Sequence, residues 1–83
     1  MRKSIHSQQY AVFLEVLRDA RKRAGLTQID TAARIGETQT FVSKVERGER
    51  RVDVVELRLF CEAFGIRLAE FVAALEAALK RKR

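Results

Sequence analysis

At 83 residues the chain has room for one small core and not for two independent ones. It has no proline, only four glycines, and much alanine, arginine, leucine and glutamate, a mixture that favours helix over sheet. Seventeen basic residues against eleven acidic ones leave a formal charge of +6, which attracts polyanions, nucleic acid foremost among them.

The expected architecture is all-α, five helices forming one domain over residues 1–83. Ser7 is placed to cap a first helix from about Gln8 to Ala24. Tyr10, Phe13, Leu14, Leu17 and Ala20 recur at three- and four-residue spacing and mark its inward stripe. Arg21, Lys22 and Arg23 fill the last turn, where positive charge suits the helix dipole, and Gly25 follows as the stop.

Thr27 with Asp30 three residues later reads as a capping box that opens a short second helix ending at Gly36. Thr38 caps a third helix over about Gln39 to Arg47, before Gly48. Asp53 with Glu56 is a further capping pair and opens a fourth helix that stops at Gly65. Its residues Leu57, Phe60, Cys61 and Phe64 share one face. The fifth helix covers about Leu68 to Lys80, with an apolar stripe of Leu68, Phe71, Val72, Leu75 and Leu79.

The informative stretch is Leu26 to Gly48. A turn as short as the one around Gly36 makes two helices cross steeply, and Ala32 has the small side chain that close approach needs. Val42 and Val45 can bury against the second helix and leave the other face of the third helix free. That face carries Gln39, Thr40, Ser43, Lys44 and Arg47, a set able to read base edges and hold phosphates. A plain solvated face is the blander reading, and within the whole motif base contact is preferred.

LTQIDTAARIG followed by TQTFVSKVERGER resembles the Cro/repressor-type helix-turn-helix family of bacterial and phage regulators, also called lambda-repressor-like or XRE. The likeness covers about residues 10 to 75. It implies that Gln28 bonds a phosphate and braces the recognition helix, and that Gln39 reads a base, typically adenine, at two points. It implies that Thr40, Phe41, Ser43 and Lys44 face the major groove, with Phe41 against a thymine methyl. By the same likeness Arg47, Arg50 and Arg51 hold phosphates, while Arg21 and Glu46 tie the first helix to the third. Three residues depart from the family pattern. Thr31 stands where leucine is usual, leaving Ile29 either to compensate or to lie exposed. Glu37 brings a negative charge after the turn glycine, and Arg67 replaces the serine that usually caps the fifth helix.

The expected activity is therefore that of a sequence-specific transcriptional regulator, a repressor by preference. It binds double-stranded DNA as a homodimer on a palindromic operator. The partner surface is expected on the fifth helix, through Phe71, Val72, Leu75 and Leu79, because five small helices leave little interior to cover that stripe. The alternative is a protein-interaction module, antitoxin-like, working through the same helix.

Cys61 is the lone cysteine, so an internal disulfide and a paired-cysteine metal motif are excluded, and a reducing compartment suits it. His6 stands alone, and no glycine-rich phosphate loop exists. No enzyme, cofactor, metal or small-molecule ligand is expected, and no signal or membrane-spanning run is present. A cytoplasmic, nucleoid-associated location follows from that reading. The basic end Lys80 to Arg83 is read as a solvated tail.

Overall fold

The structure is a computed structural model that describes residues 3–81, with side chains described for 8–81. Five helices run in the order α1 (Lys3–Arg23), α2 (Gln28–Ile35), α3 (Gln39–Glu46), α4 (Val54–Phe64) and α5 (Leu68–Arg81). Among the described residues there is no strand, so the expected all-α, five-helix arrangement is the observed one. Helix α1 begins ahead of the expected Ser7–Gln8 boundary, because neither glycine nor proline interrupts the chain there. The side chains of His6 and Ser7, and the tail beyond Arg81, lie outside the described residues.

Caps set the remaining boundaries. The Thr27 hydroxyl accepts from the Asp30 amide at 3.0 Å, and the Asp30 carboxylate accepts from the Thr27 amide at 3.0 Å. Asp53 and Glu56 repeat this reciprocal pair, at 2.8 and 2.9 Å. Thr38 makes one half of it, accepting from the Phe41 amide. Each satisfies helix donors that have no partner inside the helix. At α5 the missing serine oxygen is not replaced by Arg67. Instead Glu70 reaches back and accepts from the Arg67 amide at 2.7 Å, which preserves the other half of a capping box.

The interior is built from the expected faces. Phe13 and Leu17 of α1 meet Val42 and Val45 of α3, with Leu57, Phe60, Cys61 and Phe64 of α4 and Phe71 of α5. Helix α2 packs on α3 and α4, while α1 packs on α5 and α3. Ala32 is buried where α2 meets this core, and a longer side chain there would push the two helices apart. Thr31 is wholly buried in place of the usual leucine, and its hydroxyl donates to the Thr27 carbonyl at 3.0 Å. That bond removes the cost of an orphaned hydroxyl. Ile29 does not compensate and lies 67% exposed. Arg34 donates to the Ala63 carbonyl at 2.9 Å, so the end of α2 closes the end of α4.

Two glycines set the angle at which α3 is held. Gly36 ends α2 in the left-handed region, at φ 73°, and turns the chain within two residues of the Thr38 cap. Gly48 follows α3 at φ 77°, where an added Cβ would lie 3.1 Å from Leu14 Cδ1. Gly48→Ala therefore adds left-handed strain and crowding together, and should cost about 1–2 kcal/mol. For a domain of this size that is a fall of roughly 4–16 °C in Tm. Thermal unfolding followed by circular dichroism checks it, and an unchanged Tm would contradict the assignment.

Candidate nucleic-acid interface

Helix α3 presents two unlike faces. Val42 and Val45 are fully buried, whereas Gln39, Thr40, Lys44 and Arg47 are exposed and Ser43 is half-buried. Spacings of three and four residues bring Thr40, Lys44 and Arg47 along one side and Gln39 and Ser43 beside them. These residues therefore form one polar, basic ridge.

The ridge is anchored beneath by Glu46, the last residue of α3 and only 4% exposed. Arg21 of α1 grips its carboxylate with two bonds, from Nε at 2.6 Å and Nη2 at 3.1 Å. Arg21 also donates to the Leu26 carbonyl at 2.9 Å, and Arg18 donates to the Glu46 carbonyl at 3.3 Å. The expected tie between α1 and α3 is thus present. Gln28 joins it from α2: its amide nitrogen donates to Glu46 Oε1 at 3.0 Å, and its amide oxygen accepts from Gln39 Nε2 at 2.8 Å. Gln28 therefore touches the third helix at both ends of its amide. Neither the Glu46 contact nor Arg18 was foreseen from the sequence.

Other predicted residues stand differently. Phe41 is half-buried, and its ring stacks near-parallel on Phe60 with centroids 6.3 Å apart. The apolar ring gains more from the core than from solvent, which draws it inward. Arg50 covers the outer side of that ring at 4.8 Å and donates to Glu56 at 2.8 Å. Arg51 lies over the ring of Tyr10 in α1 at 4.4 Å. Arg50 and Arg51 are thereby held by aromatic rings in addition to any anion they meet.

Arg47 is paired too. Its guanidinium donates to Glu49 at 3.0 and 3.1 Å and also to the Ser43 hydroxyl. Glu49 was not among the anticipated site residues, although its position two residues after Arg47 and beyond a turn glycine was a signal. Both members of the pair are about half exposed, at 52% and 55% of their side chains. Exposed pairs of this kind contribute little, about 0–1 kcal/mol, so an incoming phosphate can displace the carboxylate cheaply.

On α5 one correction is needed. Phe71 is not part of an exposed stripe: it is 1% exposed and packs edge-on against Phe13 of α1 at 5.7 Å. The packing of α5 on α1 takes position 71 inward, and leaves Val72 43% exposed with Leu75 and Leu79 half-buried. Leu75 and Leu79 border a groove of about 430 Å³ whose other walls include Tyr10, Val54 and Leu57. Val54, Val55 and Leu59 of α4 are exposed as well, an apolar surface that the α5 pattern alone did not include.

Cys61 is buried, and burial pushes its thiol above the usual range, the reverse of what a nucleophile needs. Among the described residues no group of three or more His, Cys, Asp or Glu side chains is gathered to hold a metal, and no helix is long and apolar enough to cross a membrane.

A helix-turn-helix family model matches residues 17–71. An uncharacterized HTH-type transcriptional regulator of Sinorhizobium fredii is 38% identical over 52 residues, 63% of this chain and 68% of the relative. An XRE-family-like protein from Pseudomonas syringae pv. tomato superposes with a TM-score of 0.83 at 45% identity, over 90% of this chain and 92% of its own. A mutant restriction-modification controller protein gives the same TM-score at 23% identity, over 90% and 95%, and shares the fold.

The carboxylates around this surface make stability depend on pH. The bond from Arg47 holds Glu49 below the usual range, and bonds from Arg50 and the Asp53 amide do the same for Glu56. A depressed folded pKa stabilises the fold fully above the unfolded value, about 4.3 for glutamate, and that contribution is lost as pH falls through the folded value. The Tm should hold between pH 7 and 5 and drop towards pH 3, with a smaller drop in Glu56→Gln. An equal drop in both proteins would remove Glu56 from the effect.

Proposed function

The chain belongs to the XRE-type helix-turn-helix family and is a DNA-binding transcriptional regulator; from that premise we propose that it is a repressor that binds a palindromic operator as a homodimer. One observation carries this reading: the outer face of α3 is polar, basic and exposed, while its inner face is locked to α1 and α2. A helix so held can enter the major groove as a rigid body.

Within that reading each residue has a task. Gln39 and Lys44 meet base edges, with Thr40 and Ser43 beside them. Arg47 exchanges Glu49 for a backbone phosphate, and Gln28 adds a phosphate contact while it supports Gln39. Arg50 and Arg51 approach the flanking backbone, and Phe41 serves from below as the support of the ridge. The +6 charge draws the duplex in and makes affinity fall with salt.

Residues 1–83 act as one unit in this proposal, with two copies pairing through Val72, Leu75 and Leu79 of α5 and Val54 of α4, which borders the same groove as Leu75 and Leu79. Two-fold pairing makes the same patch serve both partners. It would set the two α3 helices about one turn of DNA apart, roughly 34 Å. Regulation then follows concentration and dimerisation with no small-molecule ligand, in the cytoplasm and on the nucleoid.

Selection of bound sequences from a random DNA pool tests the reading. A palindromic consensus is expected, and an unbiased pool would overturn it. Gln39→Ala and Lys44→Ala should each reduce discrimination between the selected site and random DNA by about 1–3 kcal/mol. Equal weakening on both DNAs would remove them from base reading. Arg47→Ala should weaken binding evenly and lower the salt slope by about 1 per subunit, as measured by fluorescence anisotropy across a salt series; an unchanged slope would end its phosphate role. Val72→Asp should shift the protein towards monomer in sedimentation, and an unaltered dimer would move the interface elsewhere.

A further inference from the structure

A side-chain amide has two ends of opposite polarity, and a base edge can tell them apart. The oxygen accepts, the nitrogen donates twice, and a half-turn exchanges them. Gln39 is exposed on one side, so its own surroundings there do not decide which end faces outwards. The decision is made below it. Glu46 Oε1 receives Gln28 Nε2 at 3.0 Å, and Gln28 Oε1 receives Gln39 Nε2 at 2.8 Å.

We propose that Glu46 is a positioning residue that sets the hydrogen-bond polarity of the Gln39 amide through Gln28. The inference rests on Gln39 meeting a base. A carboxylate only accepts, and this one is buried and clasped by Arg21. Turning the Gln28 amide over would place its oxygen 3.0 Å from a carboxylate oxygen, two acceptors facing each other without water between them. Gln28 is therefore held with its nitrogen towards Glu46 and its oxygen towards Gln39. Gln39 must answer that oxygen with an N–H. The oxygen of Gln39 and its second N–H are left for the duplex.

One acceptor beside one donor matches adenine, which offers an amino donor next to the N7 acceptor in the major groove. Guanine offers two acceptors there and meets the Gln39 oxygen with its own O6. Released from Gln28, the Gln39 NH₂ group can turn both of its protons on O6 and N7 and accept guanine. The chain of bonds thus excludes guanine more than it strengthens adenine. A carboxylate in the interior reaches the specificity of an exposed residue two bonds away.

The test compares adenine with guanine at the position Gln39 contacts, found as the one whose preference disappears in Gln39→Ala. Glu46→Gln makes the inner group able to donate or accept. Gln28→Met breaks the chain at its middle while leaving the Arg21–Glu46 pair whole, and so decides the matter if Glu46→Gln folds poorly. In each variant the adenine-to-guanine affinity ratio at that position should fall about five- to tenfold, within what a two-point base contact supplies, chiefly because guanine binds better. Ratios at the other operator positions should stay as in the parent protein, which a loss of folded protein or of phosphate contact cannot reproduce. A parent protein that reads adenine, with the ratio unmoved in Gln28→Met, overturns the positioning role and leaves base reading intact. A parent protein with no base preference anywhere overturns both.

Discussion

The clasp of Arg21 on the buried Glu46 carboxylate is the contact on which the rest of the molecule turns. A charge with 4% exposure is costly to bury, and it is tolerated only where donors surround it. Here two bonds from Arg21 and one from Gln28 converge on it, with Arg18 close by. Those donors come from α1 and α2, while the carboxylate belongs to the last turn of α3. Satisfying one ion therefore joins three helices and leaves little choice of angle among them. Apolar packing alone would fill the same space less particularly, since hydrophobic contact has no direction.

Around that clasp the two halves of the helix-turn-helix are short. Helices of eight residues are too short to be stable alone in water, and both α2 and α3 have that length. Their caps at Thr27 and Thr38 define where they start, and the burial of Ala32, Val42 and Val45 holds them. Because the inner face of α3 carries all of this packing, its outer face has no structural duty. Gln39, Thr40 and Lys44 are exposed for that reason, with the Gln39 amide steadied by Gln28, and a protruding ridge with rigid support is what reading a duplex requires.

The electrostatics of the free protein are less open than the net charge implies. Arg47 is occupied by Glu49, Arg50 by Glu56 and the ring of Phe41, and Arg51 by the ring of Tyr10. Such contacts hold long side chains near fixed places and lower the conformational entropy lost when an anion arrives. They also mean that binding is partly an exchange: Glu49 must yield its arginine before a phosphate takes it. Lys44, at the edge of the same ridge, is exposed, and its charge also helps to hold the Glu49 carboxyl low.

Local chemistry was legible from residue order. Capping residues, turn glycines and three-and-four spacing are read within a few positions, so α2 to α5 and the inner faces of α3 and α4 followed directly, with Phe13 and Leu17 of α1, while the buried Val12 lay outside the expected α1 stripe. The Arg21–Glu46 tie came from resemblance, as did Thr31 in the leucine position, whose hydroxyl partner only the structure supplied. What stayed hidden depends on contacts between distant segments. Whether Phe71 looks inwards or outwards is a matter of the α5–α1 angle. Phe41 is half-buried because Phe60, nineteen residues on, offers its ring an apolar surface. The bond chain from Glu46 through Gln28 to Gln39 spans three separate stretches. Sequence by itself determined which helices form, where they stop and which polar residues share a face, because those depend on backbone geometry and near neighbours. Only the tertiary structure decided which of these side chains are free and which are held, because that is set by how the helices cross.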